Sequence, residues 1–219
     1  MKIKGKRITI AGMIMLMMFA VWTILIQTVD VKPVGQKGTD VGFSGLNLWF
    51  HKMTGVHMRV YTLTDWLGLV PIAICMVFGV VGLVQLIRRR SLLKVDKDII
   101  LLGIYYLLVI SAYLIFEMIP INYRPIPIEG RMETSYPSST TLLVMSVMPT
   151  LIFQAHRRVK SYALRCGINV FTVLFTAFMV IGRTISGVHW LTDIIGSVLL
   201  SAGLYLLYHG IVKLTGLIN

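Results

Sequence analysis

The stretch MKIKGKRITIAGMIMLMMFAVWTILIQ, residues 1–27, decides the fold class of this protein. Four basic side chains precede an uncharged, mostly apolar run over residues 8–29, and about 20 such residues suffice for a helix to cross a bilayer. The run is longer than the apolar part of a typical signal peptide, and no small-residue cleavage pattern follows it. We therefore expect a first transmembrane helix here, with cleavage of this segment as the less favoured alternative.

The composition of the whole chain agrees with a membrane protein. Of its 219 residues, 56% are hydrophobic and only 14% are charged, whereas soluble domains carry about 25% charged residues. The mean hydropathy is +0.80. The two cysteines provide neither a disulfide framework nor a metal-binding spacing. We predict one all-α integral membrane domain over residues 1–219, with no metal and no cofactor.

Six apolar segments predict a bundle of six transmembrane helices. They run over residues 8–29, 66–87, 99–119, 138–155, 165–182 and 191–212. If the amino terminus is cytoplasmic, 14 lysines and arginines fall inside and 7 outside, and this excess of basic residues in cytoplasmic loops predicts that both termini are cytoplasmic. The net charge of +12 is then explained by those loops, so we predict no nucleic-acid partner.

The longest outer connection, residues 30–65, contains the aromatic stretch GFSGLNLWFHKMTG. Its Phe43, Leu46, Leu48, Trp49 and Phe50 side chains could enter lipid from an amphipathic segment that lies in the outer interface.

A polar stretch before the sixth segment carries the strongest chemical signal. It reads Gly182-Arg183-Thr-Ile-Ser-Gly-Val-His189-Trp-Leu-Thr-Asp193. On a helix, His189 and Asp193 would share a face, and the carboxylate would fix the imidazole tautomer and leave the other ring nitrogen free to attack. The guanidinium of Arg183 could hold two phosphate oxygens. The alternative is a histidine–aspartate pair that only joins helices, but ionisable groups at membrane depth are usually functional.

Two further polar stretches fall on the same predicted side of the membrane. Ser138, Ser139 and Thr140 follow Pro137 at a predicted helix start, where unpaired N–H groups and the helix dipole attract anions. Ser138 could cap this helix as well as contact a phosphate, and an ordinary cap is the alternative interpretation. Arg124 is a second candidate phosphate ligand, with interfacial anchoring as its alternative role.

These residues resemble the type-2 phosphatidic acid phosphatase family, which shares its site with vanadium haloperoxidases. The family signature is Lys-x6-Arg-Pro, Pro-Ser-Gly-His and Ser-Arg-x5-His-x3-Asp. This sequence matches it at Arg124-Pro125, at Pro137-Ser138 and at Arg183-x5-His189-x3-Asp193. The resemblance implies that His189 attacks phosphorus to form a phosphohistidine and that Asp193 orients it. It further implies that Arg124, Arg183 and Ser138 stabilise the phosphate oxygens.

The sequence departs from the signature at four positions. Glu117 stands where the family has a phosphate-binding lysine, and Thr140 stands where it has the histidine thought to protonate the leaving group. Ser139 replaces a glycine, and Gly182 replaces a serine. Loss of a general acid costs about 10²–10⁴ in rate, and this cost shrinks when the leaving group is itself a phosphate.

The resemblance implies a lipid phosphate or lipid diphosphate phosphatase in the cell membrane, with its active site on the extracytoplasmic side and membrane lipids as its partners. Undecaprenyl diphosphate, phosphatidic acid and phosphatidylglycerol phosphate are the candidate substrates. Two alternatives remain open: a family member that binds lipid phosphates without turnover, which the Thr140 and Glu117 replacements favour, and a lipid phosphotransferase. A transporter is disfavoured because the polar residues gather at one end of the bundle.

Overall fold

A computed structural model describes residues 2–217 as a helical bundle. Its helices are α1 (Lys2–Thr28), α2 (Ser44–Thr54), α3 (Met58–Leu67), α4 (Leu69–Arg89), α5 (Lys97–Met118), α6 (Ser139–Arg158), α7 (Tyr162–Ile185) and α8 (Leu191–Leu214).

Five helical segments within residues 2–217 are long and apolar enough to cross a membrane. They are Lys2–Thr28, Met58–Arg89, Lys97–Met118, Tyr162–Ile185 and Leu191–Leu214. The protein is therefore an all-helical chain with several membrane-spanning candidates, as its composition predicted. Backbone groups in lipid must be satisfied internally, which is why the apolar runs form uninterrupted helices.

The fourth predicted segment forms α6, a 20-residue helix that is less apolar than the five candidates. It packs against α4, α5, α7 and α8, so its hydroxyl side chains face protein. Tyr106 of α5 shares a hydrogen bond with the Thr150 hydroxyl, 2.7 Å between oxygens, and Tyr105 donates to the Ser146 carbonyl at 3.0 Å. These bonds lie next to Pro149, which lacks a backbone N–H donor. Neighbouring helices thus accommodate a helix that is too polar to face lipid.

The outer connection is more ordered than the sequence indicated, because α2 and α3 occupy much of residues 30–65. The predicted amphipathic segment is α2, in which Trp49 is 59% exposed. Asn47, on the opposite face, is buried and donates to the Gly42 carbonyl and to the Thr192 hydroxyl. The polar face of α2 therefore points into the protein and an apolar face points out, which leaves lipid contact as a prediction. The second apolar segment also begins earlier than predicted, since α3 leads into α4 at Gly68.

Close packing of α1 on α8 holds the two ends of the chain together. A Cβ atom on Gly12 would lie 2.8 Å from the backbone nitrogen of Leu207, and one on Gly203 would lie 2.7 Å from the Leu16 side chain. Glycine at these positions allows the helix backbones to approach, as is typical of membrane helix pairs. The pairing also carries Trp22 to the start of α8, where its indole donates to the Thr192 carbonyl at 3.1 Å.

An ion-pair cluster ties the helices at the end opposite Ser139. Asp98, at the start of α5, is buried and lies 2.6 Å from Arg158 and 3.4 Å from Arg157 at the end of α6. Asp96 lies 2.7 Å from Arg89 of α4, and the hydrogen bond from Arg89 is the main reason why the pKa of Asp96 is below its usual range. The start of α5 is thereby fixed to the ends of α4 and α6.

We expect Gly12→Leu to lower the free energy of unfolding by about 1–3 kcal/mol, because the new side chain must push α1 away from the backbone of α8. Gly79→Leu is the matched control, since a Cβ at Gly79 would point into open space. Unfolding of both variants in detergent, followed by circular dichroism, measures the difference. Equal stability of the two variants would contradict this account of the α1–α8 contact.

Candidate functional site

The three polar stretches meet at one end of the bundle, around a loop that joins α5 to α6. Residues 122–135 of this loop form a short antiparallel pair, in which the Arg124 N–H donates to the Glu133 carbonyl and the Ser135 N–H donates to the Asn122 carbonyl. This pairing places Arg124 and Ser135 close to the turn that contains His189 and to the start of α8. The loop thus assembles the site from positions that are distant in the chain.

His189 lies in the turn between α7 and α8, before the helix that begins at Leu191. The expectation that His189 and Asp193 share a helical face is therefore wrong. The turn contains Gly187 with φ +72°, where a Cβ would lie 2.1 Å from the Gly55 carbonyl oxygen. The close approach of the α2–α3 connection to this turn thus requires glycine, and it fixes the backbone that carries the imidazole.

Ser135 links the imidazole to the carboxylate. His189 Nδ1 lies 3.1 Å from both the carbonyl oxygen and the hydroxyl of Ser135, and the hydroxyl donates to Asp193 Oδ2. The direct distance from Nδ1 to that carboxylate oxygen is 3.9 Å, which is too long for a hydrogen bond. The predicted direct contact is thus replaced by a relay through Ser135. Asp193 also accepts from Asn122 Nδ2 at 3.1 Å and from the Trp190 N–H at 2.9 Å.

The Ser135 carbonyl determines which ring nitrogen of His189 is free. A carbonyl oxygen can only accept, so Nδ1 carries the proton and Nε2 carries the lone pair. Nε2 is buried and has no hydrogen-bond partner among residues 2–217. Burial, followed by the positive charges of Arg124 and Arg183, holds the pKa of His189 well below its usual value. The imidazole is therefore neutral at pH 7, as a nitrogen nucleophile must be.

The two predicted arginines both lie near this imidazole and share one aromatic partner. The guanidinium carbons of Arg124 and Arg183 are 5.7 Å and 4.8 Å from the centre of the Tyr61 ring. Arg183 donates to the Thr140 hydroxyl at 2.7 Å and to Asp65 Oδ1 at 3.1 Å. Thr140 therefore contacts an arginine at the position where the signature has its proton donor.

Arg124 is paired with a carboxylate but keeps an open donor. Its Nε lies 3.2 Å from Glu133 Oε2, while its Nη1 is buried without a hydrogen-bond partner in the part of the chain that the structure describes. Arg183 has an equivalent open donor in its Nε. Both guanidinium groups thus keep an N–H donor that no described residue uses, and Arg124 also lines the polar cavity that contains His189.

The remaining predicted site residues occupy different positions around the same space. Ser138 is buried, and its hydroxyl contacts the Thr141 hydroxyl at 3.1 Å without making a side-chain cap bond to any described residue, so the capping expectation is wrong. Ser139 is the first residue of α6 and lines both cavities described below. Glu117 is exposed near the end of α5, where one carboxylate oxygen accepts from the Thr134 hydroxyl at 2.9 Å.

Four residues with clear contacts in the site were absent from the predicted set: Tyr61, Asp65, Asn122 and Ser135. Tyr61 and Asp65 are one helical turn apart on α3, a spacing that signals a shared face, but the sequence places that face in a loop. Asn122 and Ser135 belong to the polar stretches, but the motif spacing gave neither residue a role. The sequence also left Glu133 unplaced, and the structure puts it on Arg124.

Two adjoining cavities of opposite character meet at this site. A polar cavity of about 210 Å³ is lined by His189, Arg124, Glu117 and Glu133. An apolar cavity of about 470 Å³ extends between α4, α5 and α6, with Asp65, Ser139 and Thr140 at its polar end. The cavities share Tyr113, Ser139 and Leu142. The arrangement suits a molecule with an anionic head and an apolar tail.

No group of three histidine, cysteine, aspartate or glutamate side chains within residues 2–217 could hold a metal ion.

Comparisons with known proteins agree with the sequence motifs. The family model described as the PAP2 superfamily matches residues 115–215. Among solved structures, the chain is similar to a transmembrane PAP2-type phosphatidylglycerolphosphate phosphatase from Bacillus subtilis, with a TM-score of 0.66 and 14% sequence identity over 92% of this chain and 96% of that one. No curated protein sequence matched the chain. The family match covers a little under half of the chain and contains every site residue predicted from the sequence, and the similar structure shows that the fold is shared.

Proposed function

We propose that this protein is a membrane phosphatase for lipid phosphates or lipid diphosphates, and that it works through a phosphohistidine at His189. One observation carries the proposal: the buried His189, whose Nε2 atom has no hydrogen-bond partner among the described residues, lines a polar cavity together with Arg124. Ser135 and Asp193 hold the other side of the ring. A lone pair fixed in this way, beside open guanidinium donors, is suited to attack on a phosphorus atom.

In the proposed reaction, Nε2 forms a bond to phosphorus while the bond from phosphorus to the leaving oxygen breaks. Arg124 Nη1 and Arg183 Nε donate to the phosphate oxygens, and the first N–H groups of α6 contribute at a helix amino terminus. The ring becomes positively charged, and the Ser135–Asp193 relay stabilises that charge through Nδ1–H. Water then attacks phosphorus, which releases phosphate and restores the neutral imidazole.

Thr140 is unsuited to the role of general acid, since a neutral hydroxyl gives up its proton far less readily than an imidazolium. Its contact with Arg183 instead supports a role in positioning that guanidinium. A leaving group that departs as an anion needs no such acid, so the site favours a lipid diphosphate, from which a lipid monophosphate leaves.

We further propose that α6 also crosses the membrane, so that the single domain has six spans, both termini in the cytoplasm and the site on the extracytoplasmic face of the cell membrane. The length of α6 is 20 residues, which suffices to span. Basic residues supply the second support: Arg88, Arg89, Arg90, Lys94, Lys97, Arg157 and Arg158 lie at the end of the bundle away from His189. Two carboxylates, Asp96 and Asp98, pair with arginines at that end and leave an excess of positive charge, whereas each arginine of the site has its own carboxylate partner.

We expect His189→Ala to lower the rate of phosphate release from undecaprenyl diphosphate or phosphatidic acid by at least ~10³-fold, because the nucleophile is lost. His57→Ala is the matched control, since that exposed imidazole bonds to the Thr54 carbonyl away from the cavity. Rapid quenching with labelled lipid should trap an acid-labile phosphorylated protein in the control and none in His189→Ala. Equal phosphate release by the two variants would exclude this mechanism.

A non-catalytic lipid-phosphate binder is the second candidate function, favoured by the absence of a proton donor at Thr140. Thr140→His separates the two. For the proposed enzyme, this variant should accelerate release from a lipid monophosphate by about tenfold or more while changing diphosphate turnover little, because only the monophosphate has a leaving group that needs a proton. A wild-type protein that binds both lipids but releases phosphate from neither would instead identify the binder. A phosphorylated product on added lipid acceptors would identify a transferase.

The apolar cavity should hold the lipid tail. Ile110 lines it, whereas Leu108 on the same helix does not line it and lies on another face. We expect Ile110→Trp to raise the KM for a long-chain lipid phosphate at least about fivefold and to leave turnover of a short, soluble phosphate ester unchanged, because only the tail needs the blocked space. Leu108→Trp should change neither. An equal effect of Ile110→Trp on both substrates would argue against this tail site.

A further inference from the structure

A second apolar cavity, of about 340 Å³, lies between α4 and α5 on the side of the tail cavity that is farther from His189. The tail cavity is the apolar cavity of about 470 Å³ described above, and we call the second one the distal groove. The two share Cys75 and Tyr106, so they adjoin at these residues. The Tyr106 hydroxyl bonds to the Thr150 hydroxyl of α6 at 2.7 Å, which holds the ring as part of the wall. The two cavities therefore form one apolar path along α4 and α5.

The lining residues of this path follow one face of each helix. On α4 they recur every three or four residues from Leu69 to Leu86, and on α5 they recur in the same way from Ile99 to Tyr113. A stripe of this spacing stays on one side of a helix. At 1.5 Å per residue, the stripe on α4 is about 26 Å long, whereas one leaflet supplies about 15 Å, half of the hydrocarbon core. Because the path starts at the end of the bundle that carries the site, it passes the middle of the bilayer.

Glycine keeps the distal groove open. Gly79 and Gly103 line it, and a Cβ atom at either position would point into open space. Leu83 and Ile104 also line the groove and are 54% and 51% exposed, so the groove opens sideways to lipid. An unfilled groove would leave its lining atoms without van der Waals partners, and an apolar lining does not hold water. The groove therefore suits a hydrocarbon chain.

Continuity with the tail cavity favours the substrate as the source of that chain. The tails of bilayer lipids end near the middle of the membrane, so a lipid of either leaflet would fill one cavity and leave the other. A single tail that starts beside the polar cavity passes through both cavities in turn. One occupant thus explains why the two cavities adjoin at Cys75 and Tyr106.

We propose that the substrate tail continues past Cys75 and Tyr106 into the distal groove, so that the protein prefers a lipid with one tail long enough to cross the middle of the bilayer, and that Gly79 and Gly103 determine this preference. The inference rests on the proposed function, because it takes the phosphate end of the lipid to lie beside His189. It adds tail length to the features that the substrate must have. A tail longer than the groove leaves through its open side.

Two diphosphates with the same head and the same repeating unit in the tail test the proposal: farnesyl diphosphate, which is short, and undecaprenyl diphosphate, which is long. Phosphate release in mixed micelles gives the ratio of kcat/KM for the long substrate to that for the short one. We expect Gly79→Leu and Gly103→Leu each to lower this ratio at least about fivefold, because the new side chain occupies space that only the long tail uses.

Gly167→Leu is the matched control. A Cβ at Gly167 also points into open space, but this residue belongs to α7 and lines neither the tail cavity nor the distal groove. Its ratio should stay within about twofold of the wild-type value. An unchanged ratio in both Gly79→Leu and Gly103→Leu would overturn the distal groove as a tail site and leave the proposed function intact.

A second measurement does not depend on turnover. A long single-chain alkyl phosphate with a diazirine at the end of its tail is photo-cross-linked to the full-length protein in detergent, and the labelled peptides are mapped. We expect label in residues 78–86 and 99–104, reduced at least about fivefold in Gly103→Leu. Label confined to α7, or to the part of α5 around Ile110, would overturn the proposal. Failure of the wild type to release phosphate from either diphosphate would contradict the proposed function, and the labelled positions would still decide whether the tail enters the groove.

Discussion

The hydrogen bonds of Ser135 hold the two halves of the site together. This serine lies in the loop before α6, and it contacts both the His189 ring and the Asp193 carboxylate. A histidine in a turn has no helix to orient it, so its ring depends on fixed acceptors from another part of the chain. The antiparallel pairing of residues 122–135 provides them. The position of one imidazole thus depends on the loop between α5 and α6 and on the start of α8.

Charge balance is the second constraint on this site. A buried arginine needs a partner in an apolar protein interior, and both arginines here have a carboxylate as well as the Tyr61 ring. Their paired state offsets the cost of burying two cations. It also means that a ligand must share these guanidinium groups with Glu133 and Asp65.

Much of the architecture could be predicted from residue patterns. Apolar length indicated the helices that became α1, α4, α5, α7 and α8, and it also indicated the less apolar segment that became α6. The motif spacing named Arg124, Arg183, His189 and Asp193, which the fold brings to one end of the bundle. Helix α3 was not predicted, and α2 was expected only as an amphipathic segment, because short helices that pack on a site have neither the length nor the apolar content that marks a membrane span.

The sequence by itself determined the fold class and the chemical types in the site, because hydrophobic length and side-chain chemistry are local properties. Only the tertiary structure decided how those groups connect: Ser135 stands between His189 and Asp193, Thr140 contacts Arg183, and Glu133 pairs with Arg124. The residues joined by these contacts are separated in the sequence by distances that range from about ten positions to more than fifty. A linear pattern cannot specify them, since they depend on where loops end and on which helix faces pack together.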